Sequence, residues 1–151
     1  MAEISIEIQT TSDVPVVRLT GELDIDQAVR VREHLDKVID AGAVRLVIDL
    51  SDVSYIDSTG LGMLVAVHKR LVAEQGFYVL TVPRASQRKV FEITGLSTVL
   101  VIMESLEDAL AHISAKAKFG FRSYGYEQYG TCRVDVRPRC CDACIYRCRR
   151  L

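Results

Sequence analysis

Ile4, Ile6 and Ile8 are separated by Ser5 and Glu7, and this alternation of apolar and polar positions predicts a first strand. Thr11-Ser12-Asp13 reads as a turn and residues 14–20 as a second strand, a hairpin in which Pro15 is expected near a sheet edge. Gly21-Glu22-Leu23-Asp24 then leaves the sheet. From Asp26, read as a cap, Ala28, Val31, Leu35, Val38 and Ile39 recur on one face of a helix that Gly42 ends. Val44, Leu46, Ile48 and Leu50 alternate with Arg45, Val47, Asp49 and Ser51, and the near-continuous apolar run over residues 46–50 suits an interior strand.

After that run, polar residues intrude and a helical pattern starts. Asp57, Ser58 and Thr59 are residue types that accept hydrogen bonds from the unpaired amides of a first helical turn, which places Ser58 as an exposed hydroxyl at a helix N-terminus. Leu61, Leu64, Val65, His68, Leu71 and Val72 supply the apolar stripe of that helix. Gly60 and Gly62 each cost about 1 kcal/mol relative to Ala, so two glycines in the first turn imply that something approaches the backbone closely.

Gln75-Gly76 stops the helix, residues 77–82 read as a strand ending at Pro83, and residues 86–94 as a short helix closed by Gly95. Residues 98–103 form the last expected strand. Ser105-Leu106-Glu107-Asp108 resembles a capping sequence for a final helix with Leu106, Ala109, Leu110 and Ile113 on its buried side. The order β-β-α-β-α-β-α-β-α implies an α/β fold: a mixed sheet with parallel crossovers and loops gathered at one end.

The 151 residues, 49% hydrophobic and 26% charged, supply one good core, and a single domain over residues 1–115 is expected. Residues 1–115 hold 10 Lys/Arg against 17 Asp/Glu, whereas residues 116–151 hold 9 against 3. An acidic domain is a poor match for nucleic acid, whose binding is dominated by attraction to phosphates. The start of the chain lacks the basic and apolar regions of a signal peptide, and no stretch approaches the ~20 apolar residues of a membrane span. A cytoplasmic location without membrane attachment is the resulting expectation.

From Lys116 the pattern changes. Phe119, Phe121, Tyr124, Tyr126 and Tyr129 are interleaved with glycines, and all five cysteines follow, from Cys132 to Cys148. Neither period persists, so this basic, Cys-rich tail is expected to be disordered, and its composition also suits an altered reading frame. Cys141, Cys144 and Cys148, with Cys132 and Cys140, offer thiolates for zinc, but paired Cys-x-x-Cys spacing is missing and the three histidines lie upstream. No metal is expected. Basic residues with aromatics also suit RNA, yet no RNA-binding signature is present.

Ser58 is not flanked as Gly-x-Ser-x-Gly and has no nearby histidine to act as its base, and the glycines around it do not form a phosphate-binding loop. His68 and His34 read as packed or surface residues. Nothing in the chain looks like an enzyme's active site, and no cofactor is expected.

Residues 49–62, together with Gly21-Glu22-Leu23-Asp24, resemble the STAS domain of bacterial anti-sigma factor antagonists, in which the serine of an Asp-Ser-Ser/Thr-Gly-Leu-Gly loop is reversibly phosphorylated. The resemblance covers residues 4–115 in order. It implies a STAS-type single domain with Ser58 as phosphoacceptor and Asp24, Asp57, Ser58, Thr59, Gly60, Leu61 and Gly62 as a docking surface. For Asp24 a simple helix cap is the competing reading. Thr59 stands where other versions carry a second serine and is a second candidate acceptor. The resemblance further implies that the unphosphorylated protein docks on an anti-sigma factor, itself the serine kinase, and frees the sigma factor. A metal-dependent serine phosphatase reverses the mark, so ATP and metal belong to the partners. The alternative is a STAS interaction module of a transporter-associated or stressosome-like assembly. A small nucleotide-binding protein is a third class, and it lacks its phosphate loop here.

Overall fold

Ser12 and Asp13, both left-handed at φ 51° and 63°, reverse the chain between β1 (Ser5–Thr11) and β2 (Val14–Leu23). A two-residue loop with both central φ angles positive matches the twist of the flanking strands, which is why this hairpin closes tightly. The computed structural model describes residues 3–118, and the basic, Cys-rich segment and its cysteines lie outside the described residues. After the hairpin come α1 (Ile25–Asp40), β3 (Arg45–Ile56), α2 (Ser58–Ala73), β4 (Phe77–Thr81), α3 (Ala85–Ile93), a 3-10 turn (Leu96–Thr98), β5 (Val101–Met103) and α4 (Leu106–Lys118). The five strands lie in the order β1-β2-β3-β4-β5, antiparallel between β1 and β2 and parallel thereafter.

The period-two pattern of β3 divides its side chains between two cores. Leu46, Ile48 and Leu50 pack with Ala28, Val31 and Leu35 of α1, Leu64, Val67 and Leu71 of α2 and Phe91 of α3. Val47, facing the other way, joins Val14, Val16 and Val79 against Ala109 and Ile113 of α4. The sheet is therefore sandwiched, and among the described helices α4 is the one packed on this second face. The same face carries Asp49, 1% exposed, whose charge is met by Arg18 at 3.1 Å and by the Ser51 amide at 3.0 Å.

Several boundaries differ from the sequence expectation. Strand β2 continues through Gly21 to Leu23, because two register shifts against β3 carry the pairing past the glycine. Gly21 adopts φ 122° there, and an added Cβ would meet the Glu3 carbonyl oxygen at 3.1 Å. Pro15 sits in an interior strand, at the hairpin end and ahead of the first β2–β3 pair at Val16. Strand β5 is only three residues long, since residues 96–98 coil into the 3-10 turn. The last helix runs to Lys118, past the expected limit at Ala115.

Candidate functional site

Leu23 and Ile56 are register partners at the C-terminal ends of the neighbouring parallel strands β2 and β3. The next residue in each chain segment is an aspartate that caps a helix. Asp24 Oδ1 accepts from the amides of Asp26 at 3.1 Å and Gln27 at 3.0 Å, which starts α1. Asp24, not Asp26, is thus the cap. Asp57 Oδ1 accepts from the Gly60 amide at 2.7 Å and starts α2, while the Asp57 amide donates to the Leu23 carbonyl at 3.2 Å. Two capped helix N-termini, each an electropositive end of a helix dipole, consequently follow directly on a register-paired pair of strand ends.

Ser58 is the first residue of α2, and both it and Thr59 are exposed. The first turn of α2 carries no acidic residue of its own. Gly62 is also exposed, and a Cβ there would meet nothing within 4 Å. Gly60 is different. It is buried, and a Cβ would lie 2.9 Å from the Leu23 side chain, 3.0 Å from the Leu23 carbonyl oxygen and 3.1 Å from Ile56. The close approach expected at these glycines is therefore made by the end of β2 itself, at Gly60 alone. Leu61 is only 9% exposed and belongs to the core. Asp24, Asp57, Ser58, Thr59 and Gly62 form the outer layer of the site, with Gly60 and Leu61 beneath it.

Neither His68 nor His34 belongs to this layer. His68 lies ten residues along α2 from Ser58, about 15 Å at 1.5 Å per residue, far beyond hydrogen-bond reach of a base. Its ring is 5.9 Å from the Tyr78 ring, edge to face, and burial lowers its pKa. His34 Nδ1 donates to the Arg30 carbonyl at 2.8 Å on α1. Among the described residues no group of three or more His, Cys, Asp or Glu side chains is placed to hold a metal ion. No described helix is long and apolar enough to cross a membrane.

Beside the aspartate pair, α1 presents Ile25 and Val29, 60% and 59% exposed. Sequence reading passed over both. Their i, i+4 spacing lies off the buried stripe of Ala28, Val31, Leu35 and Ile39, and that second stripe was the available signal. On the other flank, Arg84 Nη1 donates to the Val53 carbonyl at 3.4 Å and Gln87 Nε2 donates to the same oxygen, fastening α3 to the end of β3.

A family model described as the STAS domain matches residues 5–109. The anti-sigma-B factor antagonist of Listeria monocytogenes is 40% identical over 100 residues, which cover 66% of this chain and 88% of that protein. The anti-sigma-B factor antagonist of Bacillus subtilis is 37% identical over 106 residues, covering 69% of this chain and 94% of that protein. Among solved structures, an anti-sigma factor antagonist from Mycobacterium paratuberculosis aligns with a TM-score of 0.66 at 31% identity, over 74% of this chain and 95% of that one.

Proposed function

The chain belongs to the STAS-domain family of anti-sigma factor antagonists, and from that premise we propose that it is a partner-switching regulator controlled at Ser58. With Ser58 unmodified it binds an anti-sigma factor through Asp24, Asp57, Ser58, Thr59 and Gly62, with Gly60 and Leu61 holding that surface in shape, and thereby frees a sigma factor. Phosphorylation of Ser58 by the anti-sigma factor, acting as serine kinase, ends the interaction, and a serine phosphatase restores it. The protein itself is not an enzyme, works in the cytoplasm and needs no cofactor.

The observation that carries this reading is an exposed hydroxyl at the first position of α2 with two carboxylate caps beside it. A phosphate there brings about −1.5 to −2 charge to a helix N-terminus, which tolerates it, so the fold survives modification. In the free protein, water screens the phosphate from Asp24 and Asp57. Docking removes that water, and two unit charges ~6 Å apart at an effective dielectric of ~20 repel by ~3 kcal/mol, roughly a hundredfold in affinity. The penalty therefore appears on binding and leaves folding untouched.

Incubation with the cognate kinase and ATP should add one phosphate to the intact chain, located at Ser58 by mass spectrometry of its peptides. Stoichiometric labelling of Ser58→Ala at a site other than Thr59 would overturn the assignment, and transfer of the label to Thr59 would widen it to both hydroxyls.

A further inference from the structure

We propose that the chain pairs with a second copy of itself through the free edge of β1, forming a two-fold dimer in which each hairpin tip seats on the other copy's β1–α1 groove. Among the described residues β1 is paired only with β2, so its outer edge offers a row of unmatched backbone donors and acceptors. Protein edges are usually blunted by lysine, proline or a bulge. The seven residues Ser5–Thr11 contain neither Lys nor Pro and carry a single charge, Glu7, and the β1–β2 register runs without a shift. Ile8, on this strand, is 48% exposed.

The two ends of the strand differ in charge. At its N-terminal end lies an open groove of about 380 Å³ lined by Glu3, Ile4, Ser5, Ile6, Arg30 and His34. Arg30 there meets Glu3 at 2.6 Å and remains about half exposed. At the C-terminal end the exposed turn of Ser12 and Asp13 projects an acid. An antiparallel copy brings the tip of each chain to the groove of the other, and the same contact forms twice. Centred on Ile8, this pairing sets Ile8 against Ile8 of the second copy, Glu7 against Gln9, Ile6 against Thr10 and Ser5 against Thr11, and the same register brings Asp13 opposite Glu3, two acids that need the cation of Arg30 between them. Just beyond, Asp13 of one copy reaches Arg30 of the other, which then bridges two carboxylates. A peptide of unrelated sequence would satisfy the backbone but not both charged ends. Ser58 starts the helix after the third strand, so both regulatory sites stay open.

A seam of this length lies at the small end of specific interfaces, and micromolar association is expected. Sedimentation equilibrium of the full chain from ~1 μM to ~1 mM should show the mean mass rising from one chain towards two. Ile8→Lys should hold the mass at one chain without lowering the unfolding midpoint. Asp13→Lys and Arg30→Glu should each weaken association by about tenfold, and the double variant should recover most of it. A wild-type mass of one chain throughout, dimerisation of Ile8→Lys as tight as wild type, or a double variant no better than the singles would each overturn the proposal.

Discussion

A methyl group at Gly60 would sit 2.9 Å from the Leu23 side chain, closer than carbons pack, so Gly60→Ala must push α2 away from the end of β2. Overpacking of this kind costs about 1–3 kcal/mol, and urea unfolding should register it, whereas Gly62→Ala meets open space and should leave stability level or up to about 1 kcal/mol higher. The glycine pair was legible as a sign of close approach. Which glycine makes it was not, because that depends on Leu23, a residue distant in the chain. The choice between Asp24 and Asp26 as the cap was hidden for a similar reason: both side chains accept hydrogen bonds, and only the continuation of β2 to Leu23 decides between them. Asp24→Ala should cost about 1 kcal/mol of stability as the cap is lost. If Asp24 also contacts the partner, affinity per folded molecule falls as well. Measuring both on the same variant separates its two roles, and wild-type affinity with reduced stability would remove Asp24 from the docking surface.

At the level of elements, the hydrophobic periods located every α-helix and strand but not the 3-10 turn, and the residual errors lie at the ends of elements or on the flanks of helices. The stripe of α2 was read through Val65 and Val72, yet the buried set is Gly60, Leu61, Met63, Leu64, Val67 and Leu71. Helix α2 meets the sheet on one side and α1 on another, so its buried arc is rotated towards Met63 and Val67 and broader than a single stripe suggests. His68 lies at the margin of that arc. Burial lowers its pKa below the ordinary value near 6.5, and burial, followed by the charge of Lys116, lowers that of His112 on α4. A histidine kept neutral in the fold contributes stability above its unfolded pKa. That contribution is lost as pH falls from about 6.5 through the lower folded pKa, because the unfolded chain takes up the proton first. Urea midpoints should thus decline between about pH 7 and pH 5, before most carboxylates titrate, and His68→Gln should flatten the decline. A slope unchanged by that substitution would assign the pH dependence elsewhere.

For the molecule as a whole, the alternation of strands with helices was enough to give a mixed sheet, since right-handed crossovers leave few other arrangements. Parallel order then carries the C-terminal ends of β2 and β3, and with them Asp24 and Asp57, to one end of the sheet, whatever the details of the loops. The site was legible to that degree. The exposed apolar pair on α1 and the open edge of β1 were not, because single apolar residues on a helix or strand read as core until the packing partners are known. Residues 1–115 carry a net acidic charge, and the cap carboxylates Asp24 and Asp57 lie at the starts of the two helices next to Ser58. On the proposed reading, one phosphate at Ser58 switches docking without disturbing the fold. Titration calorimetry of the cognate anti-sigma factor against the unmodified and the singly phosphorylated chain, both with matched unfolding midpoints, tests it directly. Affinity should be lower by roughly a hundredfold for the phosphorylated form. Equal affinities for the two folded forms would contradict it.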